Sequence, residues 1–478
     1  MSDGPDARPA RTRRLEVPPA VLRELASTDP AQYPVLLDSV AAGPLGQVSI
    51  LAARPRAALW LDASGRLAAT GGAPIGRDFL SSLEQWWLAE RIARQPMPEH
   101  PQVAFTGGWA LYLGYELARE IEPHLVLPPS DLPWQAFALR TPCALVHLCG
   151  SGTVLAVAEA QAAQELDALA ADAHAAARRL RSPMGPQPPQ RPLAVEEEDP
   201  ALYIERVRRA QEYIRAGDIY QANLSRPWRV LTAGNGEAPA TVRVGELYAR
   251  LAAANPAPFA ALAQWGGVAA LSSSPERLIR VAGRVVETRP IAGTRPRTRL
   301  PGGDAAETAA LVAHPKERAE HVMLIDLERN DLGRVCEPGS VRVDELMVTE
   351  TYAHVHHIVS NVRGRLREGV TPIAALRAVF PGGTITGCPK FRCMQIIAEL
   401  EGQGRGAYTG SLGFLSREGD MDLNILIRTL TLANGRLGFR AGAGIVADSI
   451  AERELEETRA KARGLLAAFE ELPGELAS

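Results

Sequence analysis

The run FAALAQWGGVAALSSSPERLIRVAGRVVE (Phe259 to Glu287) decides the fold class. Phe259 to Gln264 and Val268 to Ser272 are strand-like runs around a Gly-Gly pair, and Leu278 to Val281 meets Val285 to Glu287 across Gly283. Short apolar runs bounded by glycine read as antiparallel hairpin strands. Further strand-like runs follow at Tyr408 to Leu415, Met421 to Leu432 and Leu437 to Ala441. Helical runs separate them at His314 to Leu327, Pro372 to Val379, Pro389 to Leu400 and Ile450 to Leu466. Hairpins among long helices predict an α+β fold with mainly antiparallel sheets in the core and helices outside.

Upstream, Val48 to Leu51 and Ala57 to Leu61 read as strands and Phe79 to Arg94 as an amphipathic helix. Residues 1–14, with Arg8, Arg11, Arg13 and Arg14 among Pro and Ala, read as a disordered tail. SPMGPQPPQRPLAVEEED (182–199) reads as a Pro-rich linker between an N-terminal region, 15–181, and a second domain, 200–470. The helix after the linker starts at an acidic, Pro-containing turn and stops before Gly217.

The 52 basic and 55 acidic side chains give a net charge of −3, which argues against a general nucleic-acid or membrane-surface binder. No apolar stretch is long enough to span a membrane, and no secretory signal is visible. Five cysteines without CxxC or Cys/His spacing indicate neither a disulfide framework nor a zinc site, so a reducing cytoplasm is expected.

Glu317 with Glu320, and Glu454 with Glu457, are i, i+3 pairs on helical runs. Each pair presents two carboxylates on one helix face, which suits a hard cation such as Mg²⁺ if the helices converge; solvated surface charge is the competing reading. FPGGTITGCPK (Phe380 to Lys390) and RAGAGIVADS (Arg440 to Ser449) offer backbone N–H groups to an anion, or are plain turns. Neither has P-loop or dinucleotide-binding spacing. Arg428 sits in the apolar run MDLNILIRTLTL and needs a partner, either a bound carboxylate or a structural ion pair. In TYAHVHHIVS, His354 and His356 share one strand face and His357 takes the other. Glu276 of SSSPERL is a candidate general acid, and no serine, cysteine or HExxH nucleophile motif appears. The set suits Mg²⁺-assisted elimination or substitution on a small dianion.

From Tyr203 to Leu466 the collinear series DIYQANLSRP, SSSPERL, ETRPIAGTRPR, KERAEHVMLIDLERNDLGRV, HVHHIVSNVRG, FPGGTITGCPK, GSLGF, IRTL, AGAGIVADS and EExxxKA strongly resembles the chorismate-utilising enzymes. PVLLDS (Pro34 to Ser39) and FTGGWALYLGYE (Phe105 to Glu116) resemble the N-terminal region of their anthranilate synthase component I type. The resemblance implies that Glu320 and Glu457 bind Mg²⁺, with Glu317 and Glu454 supporting through water, so that the ion neutralises the ring carboxylate of chorismate. It implies Glu276 as the general acid for departure of the 4-hydroxyl, and His357 as the active-site histidine. Thr384, Tyr408, Arg428, the backbone of Gly442, Ala443 and Gly444, and Lys461 would grip the carboxylates. Leu36 to Ser39 would line a tryptophan pocket, a plain core strand being the alternative.

Gln221 stands where the water-using members carry a lysine, and an amide is no general base, so ammonia is the expected nucleophile. Ala292 of PIAGT stands where aminodeoxychorismate synthases often carry a lysine nucleophile, and alanine is the anthranilate synthase residue. FPGGTITGCPK, FTGGWALYLGYELAREIEP and LPPSDLPWQAFALR nevertheless resemble the component I of the aminodeoxychorismate branch more closely. Nothing resembles an amidotransferase nucleophile region, so ammonia is expected from a separate glutamine amidotransferase subunit. A non-catalytic homologue would lack acid or metal ligands, whereas Glu276, Glu320, Glu457 and His357 are all present.

Overall fold

The computed structural model describes residues 9–470 apart from 42, 44, 95, 96, 98, 182–191, 233–241, 298–314 and 352–354. Two large sheets, of twelve and eleven described strands, stack face to face. Neighbouring strands run antiparallel, as the hairpin pattern predicts. Val35, Ala52, Ala110, Tyr112, Ala261, Ala263 and Leu412 pack between the sheets. Leu262, one residue from Ala261 and Ala263, points to the opposite side and joins a second core beneath the helices Val21–Thr28, Glu165–Arg181 and Val244–Ala254. Strands buried on both faces read as continuous apolar runs, which is the pattern of Phe259–Trp265. On the other sheet the helices Phe79–Glu90, Pro372–Val379 and Pro315–Gly333 cover the outer face.

The regions before and after the Pro-rich segment share both sheets. Val35–Asp38 lies between Val48–Ala53 and Phe259–Trp265, and Gly108–Leu113 pairs with Ser411–Ser416. Within the segment read as a linker, Pro192–Glu197 forms a strand on Gln221–Thr232; residues 182–191 lie outside the described set. The expected tail is also corrected. Arg11–Leu15 is an edge strand on Thr153–Ala158, where Leu15 is buried and Arg13 meets Asp167 at 2.8 Å. Helix Pro200–Arg215 starts as expected, with the Asp199 side chain accepting from the Ala201 N–H at 2.9 Å.

The run Met421 to Leu432, read as one strand, is two. Met421–Asn424 belongs to the second sheet and Thr429–Ala433 to the first. Beside it, Val268–Ser274 belongs to the first sheet and Arg277–Ala282 to the second. Two chain segments thus cross between the sheets side by side, at Pro275–Glu276 and at 425–428. The crossings hold each other through the Ile425 N–H to the Glu276 carbonyl at 3.0 Å and the Ser273 N–H to the Arg428 carbonyl at 3.0 Å. Arg428 takes a left-handed backbone, φ +51°, which costs a non-glycine residue about 1–3 kcal/mol. Periodicity carried no sign of this break, because the crossing residues Ile425 and Leu426 are as apolar as the strands they join.

Candidate active site

Glu276 is buried at its crossing, and its Oε1 accepts from the Thr384 hydroxyl at 2.7 Å. Burial pushes the carboxyl up to about 7, helped by the charge of Glu328, while Thr384 and Arg428 pull the other way. A carboxylic acid near 7 is half protonated at neutral pH and suits proton donation. Arg428, at the neighbouring crossing, is close enough to act on both Glu276 and His357.

His357 lies on Val355–Arg365, opposite Thr294 of Ile291–Pro296. Its Nδ1 is 3.3 Å from the Gly293 carbonyl, which only accepts, so Nδ1 carries the proton. Burial first, then the positive charges of Arg428 and Lys461, push the imidazole down to about 3. His357 is thus neutral at working pH. Both strand faces are covered, and His356, buried as well, meets Thr351 Oγ1 at 2.8 Å. His354 lies outside the described residues. Ala292 is buried opposite Ile358, and its methyl group supplies no nucleophile.

The far wall is Gly442, Ala443 and Gly444 on Arg436–Ile445, paired with Ser225, Leu224 and Asn223. Ala443 turns its methyl into a core cluster, which leaves the two flanking glycines on the opposite face. A Cβ on Gly442 would stand 2.6 Å from the Tyr408 hydroxyl, and one on Gly444 2.6 Å from Gln221 Nε2, so both side chains lie flat on bare backbone. Gln221 Oε1 is buried without a hydrogen-bond partner among the described residues. Gly387, at φ +135°, lets the strand Gly387–Cys388 press on Gln221; a Cβ there would meet the Gln221 carbonyl at 2.0 Å. Tyr408 sits in a turn before the strand Ser411–Ser416 rather than within it, and burial pushes its phenol up to about 12. Its hydroxyl is 3.4 Å from Asn223 Oδ1. Lys461 donates to the Gly442 carbonyl at 2.8 Å and pairs with Glu457 at 2.7 Å.

Glu454 and Glu457 lie on the helix Ala451–Leu466, and Glu320 is half-buried on Pro315–Gly333. The Glu317 side chain lies outside the described set, and among the described residues no three His, Cys, Asp or Glu side chains group to hold a metal. The carboxylate chemistry fits a hard divalent cation, although Glu457 here engages Lys461. The charge of Glu457 reaches as far as Tyr408, whose phenol it helps raise.

Glu328 was not singled out from sequence. It is buried, and burial together with Asp331 pushes its carboxyl up to about 7. His321, Leu324, Ile325, Glu328 and Leu332 are all buried at helical spacing. A glutamate and a histidine on that apolar stripe were the available signal.

A separate cavity of about 270 Å³ lies between the sheets, lined among others by Leu37, Asp38, Ser39, Phe259, Arg277 and Asp422. It contains none of the residues above. Leu36 points away into the core, so of the LLDS segment only Leu37 to Ser39 face the cavity.

The chorismate binding enzyme family matches residues 46–467. The chain belongs to that family. This chorismate binding enzyme is 40% identical over 470 residues to anthranilate synthase component 1 of Thermus thermophilus, covering 95% of this chain and 96% of that one. It is 40% identical over 456 residues to aminodeoxychorismate synthase of Streptomyces griseus, covering 91% of this chain and 60% of that protein. The solved anthranilate synthase component I of Streptococcus pneumoniae TIGR4 superposes with a TM-score of 0.75 at 32% identity, covering 89% and 93% of the two chains. Among the described residues no helix is long and apolar enough to cross a membrane.

Proposed function

We propose that this chorismate-utilising enzyme is component I of an aminodeoxychorismate synthase, which replaces the 4-hydroxyl of chorismate with an amino group from ammonia and releases water. The observation that carries the reading is Glu276, a buried carboxyl near 7 held by the Thr384 hydroxyl within reach of the Arg428 charge. Its protonated form gives the proton to the departing hydroxyl, and Arg428 steadies the carboxylate left behind. Tyr408, Lys461 and the bare backbone at Gly442 and Gly444 take the substrate carboxylates. Gln221 Oε1, without a hydrogen-bond partner among the described residues, accepts an N–H of ammonia, which an amide can do without acting as a base. Glu320 and Glu457, supported by Glu317 and Glu454, would hold Mg²⁺, which when bound offsets the charge of the ring carboxylate. A glutamine amidotransferase subunit supplies the ammonia, and the product serves 4-aminobenzoate and folate synthesis.

The branch choice is supported by FPGGTITGCPK, FTGGWALYLGYELAREIEP and LPPSDLPWQAFALR. Ala292 favours a second reading, anthranilate synthase component I. On the first reading Ala292 excludes covalent relay from that position, so ammonia enters C4 directly or another residue takes the place of the lysine. The test is the purified chain with chorismate, Mg²⁺ and an ammonium salt at mildly alkaline pH, with and without aminodeoxychorismate lyase. 4-Aminobenzoate formed only with lyase supports the proposal. Anthranilate and pyruvate without lyase replace it with the second reading, and no turnover of chorismate removes both.

A further inference from the structure

Arg405 lies behind the far wall with its side chain 1% exposed, and sequence reading gave it no role. Its guanidinium forks onto Glu401 at 2.6 and 3.1 Å. The same group donates to the Ile385 carbonyl at 3.1 Å, the Asn223 carbonyl at 2.6 Å and Thr409 Oγ1 at 3.4 Å. It also stacks 5.5 Å from the Tyr408 ring centre and 4.9 Å from that of Tyr115. Glu116, from the N-terminal region, accepts from the backbone N–H groups of Arg405 at 2.7 Å and Gly406 at 3.2 Å.

These contacts join neighbours of separate pocket residues. Ile385 follows Thr384, which holds Glu276; Asn223 takes the Tyr408 hydroxyl; Thr409 follows Tyr408 and has φ +64°. A fork that merely neutralised Glu401 would not need the other three acceptors, and Arg440 already meets Glu401 at 2.8 Å. We propose that Arg405 is a positioning residue, which locks the Tyr408 turn and the Thr384 loop onto the strand Gln221–Thr232 and so sets the distance between the carboxylate grip and the acid. Lysine keeps the charge toward Glu401 but has neither the planar fork nor its stacking.

The test is Arg405→Lys in the full chain, read first by amide hydrogen exchange, which needs no substrate. Exchange at residues 384–387 and 408–410 is expected to rise about tenfold or more while the other core strands keep their protection. Unchanged exchange at both segments, or an even rise across the chain, overturns the proposal. If Arg405→Lys does not fold, Glu116→Gln carries the test through selective exposure of 408–410, and no change there overturns it. The kinetic arm rests on the proposed function. Arg405→Lys and Tyr408→Phe are each expected to raise the KM for chorismate about tenfold, and together by far less than the product. A full product would show that Arg405 does not act through Tyr408. Absence of turnover in the parent chain counts against the functional reading alone, and exchange then decides the role of Arg405.

Discussion

Glu276→Gln should change how stability depends on pH, and the structure sets the size. In the unfolded chain the carboxyl titrates near 4.5, whereas in the fold burial lifts it to about 7. At about 1.4 kcal/mol per pH unit the difference is worth about 3 kcal/mol. The sign follows from proton binding. Between the two values the folded protein holds a proton that the unfolded chain has released, so stability falls as pH rises. The contribution is complete below pH 4.5, is lost progressively up to about 7, and is constant above. Glutamine has the same shape and no titration, so the variant lacks this slope. Glu328, also lifted to about 7, is present in both proteins, and because its charge helps raise Glu276 the gap between them reports Glu276 together with its coupling to Glu328. Denaturant unfolding of both proteins from pH 4.5 to 8.5 measures the gap, which should move in favour of the variant by about 3 kcal/mol between the ends. Parallel curves would refute the burial argument, and with it the assignment of Glu276 as an acid poised near neutrality. In turnover assays the same variant should lose about 100-fold or more in kcat.

Gly442→Ala would set a methyl 2.5 Å from the Leu224 carbonyl and 2.6 Å from the Tyr408 hydroxyl; a stability loss of about 1–3 kcal/mol is expected in thermal unfolding, partly recovered in a Tyr408→Phe background. Glu457→Gln breaks only a half-exposed pair with Lys461, so stability should change by less than about 1 kcal/mol, while the rise in melting temperature on adding Mg²⁺ should vanish. An undiminished Mg²⁺ effect in both Glu457→Gln and Glu320→Gln would remove the metal assignment. The His357 imidazole, held near 3, should show no titration between pH 5 and 8 in histidine-selective NMR, with His357→Gln assigning the signal; a midpoint near 6.5 would contradict its burial.

Much of the fold was legible because its strands obey local rules. The helix Pro372–Val379 appears at its expected bounds, with Thr371 capping the Ala374 N–H at 3.0 Å, and the hairpin across Gly283 pairs Ala282 with Val285. The site residues were legible by chemical type. Glu276 lies in a Ser/Pro-rich stretch between strand signals, and Arg428 is a cation that no apolar run tolerates without cause. Their relationship was not legible. Which residues break the Met421 to Leu432 run depends on two sheets competing for it, and that competition involves strands more than a hundred residues apart in sequence.

The sequence by itself determined the antiparallel hairpins, the helix starts and the inventory of acid, cation, glycine and carboxylate pairs, because each depends on neighbours within a few residues. Only the tertiary structure decided that segments on either side of the Pro-rich stretch share both sheets, that Glu276 and Arg428 lie on neighbouring crossings between them, and that Arg405 ties Tyr408 to the Thr384 loop. Those outcomes depend on burial. Whether a carboxyl sits near 4.5 or near 7, and whether an arginine is a surface charge or a strut, follows from how much water the packed chain excludes around it.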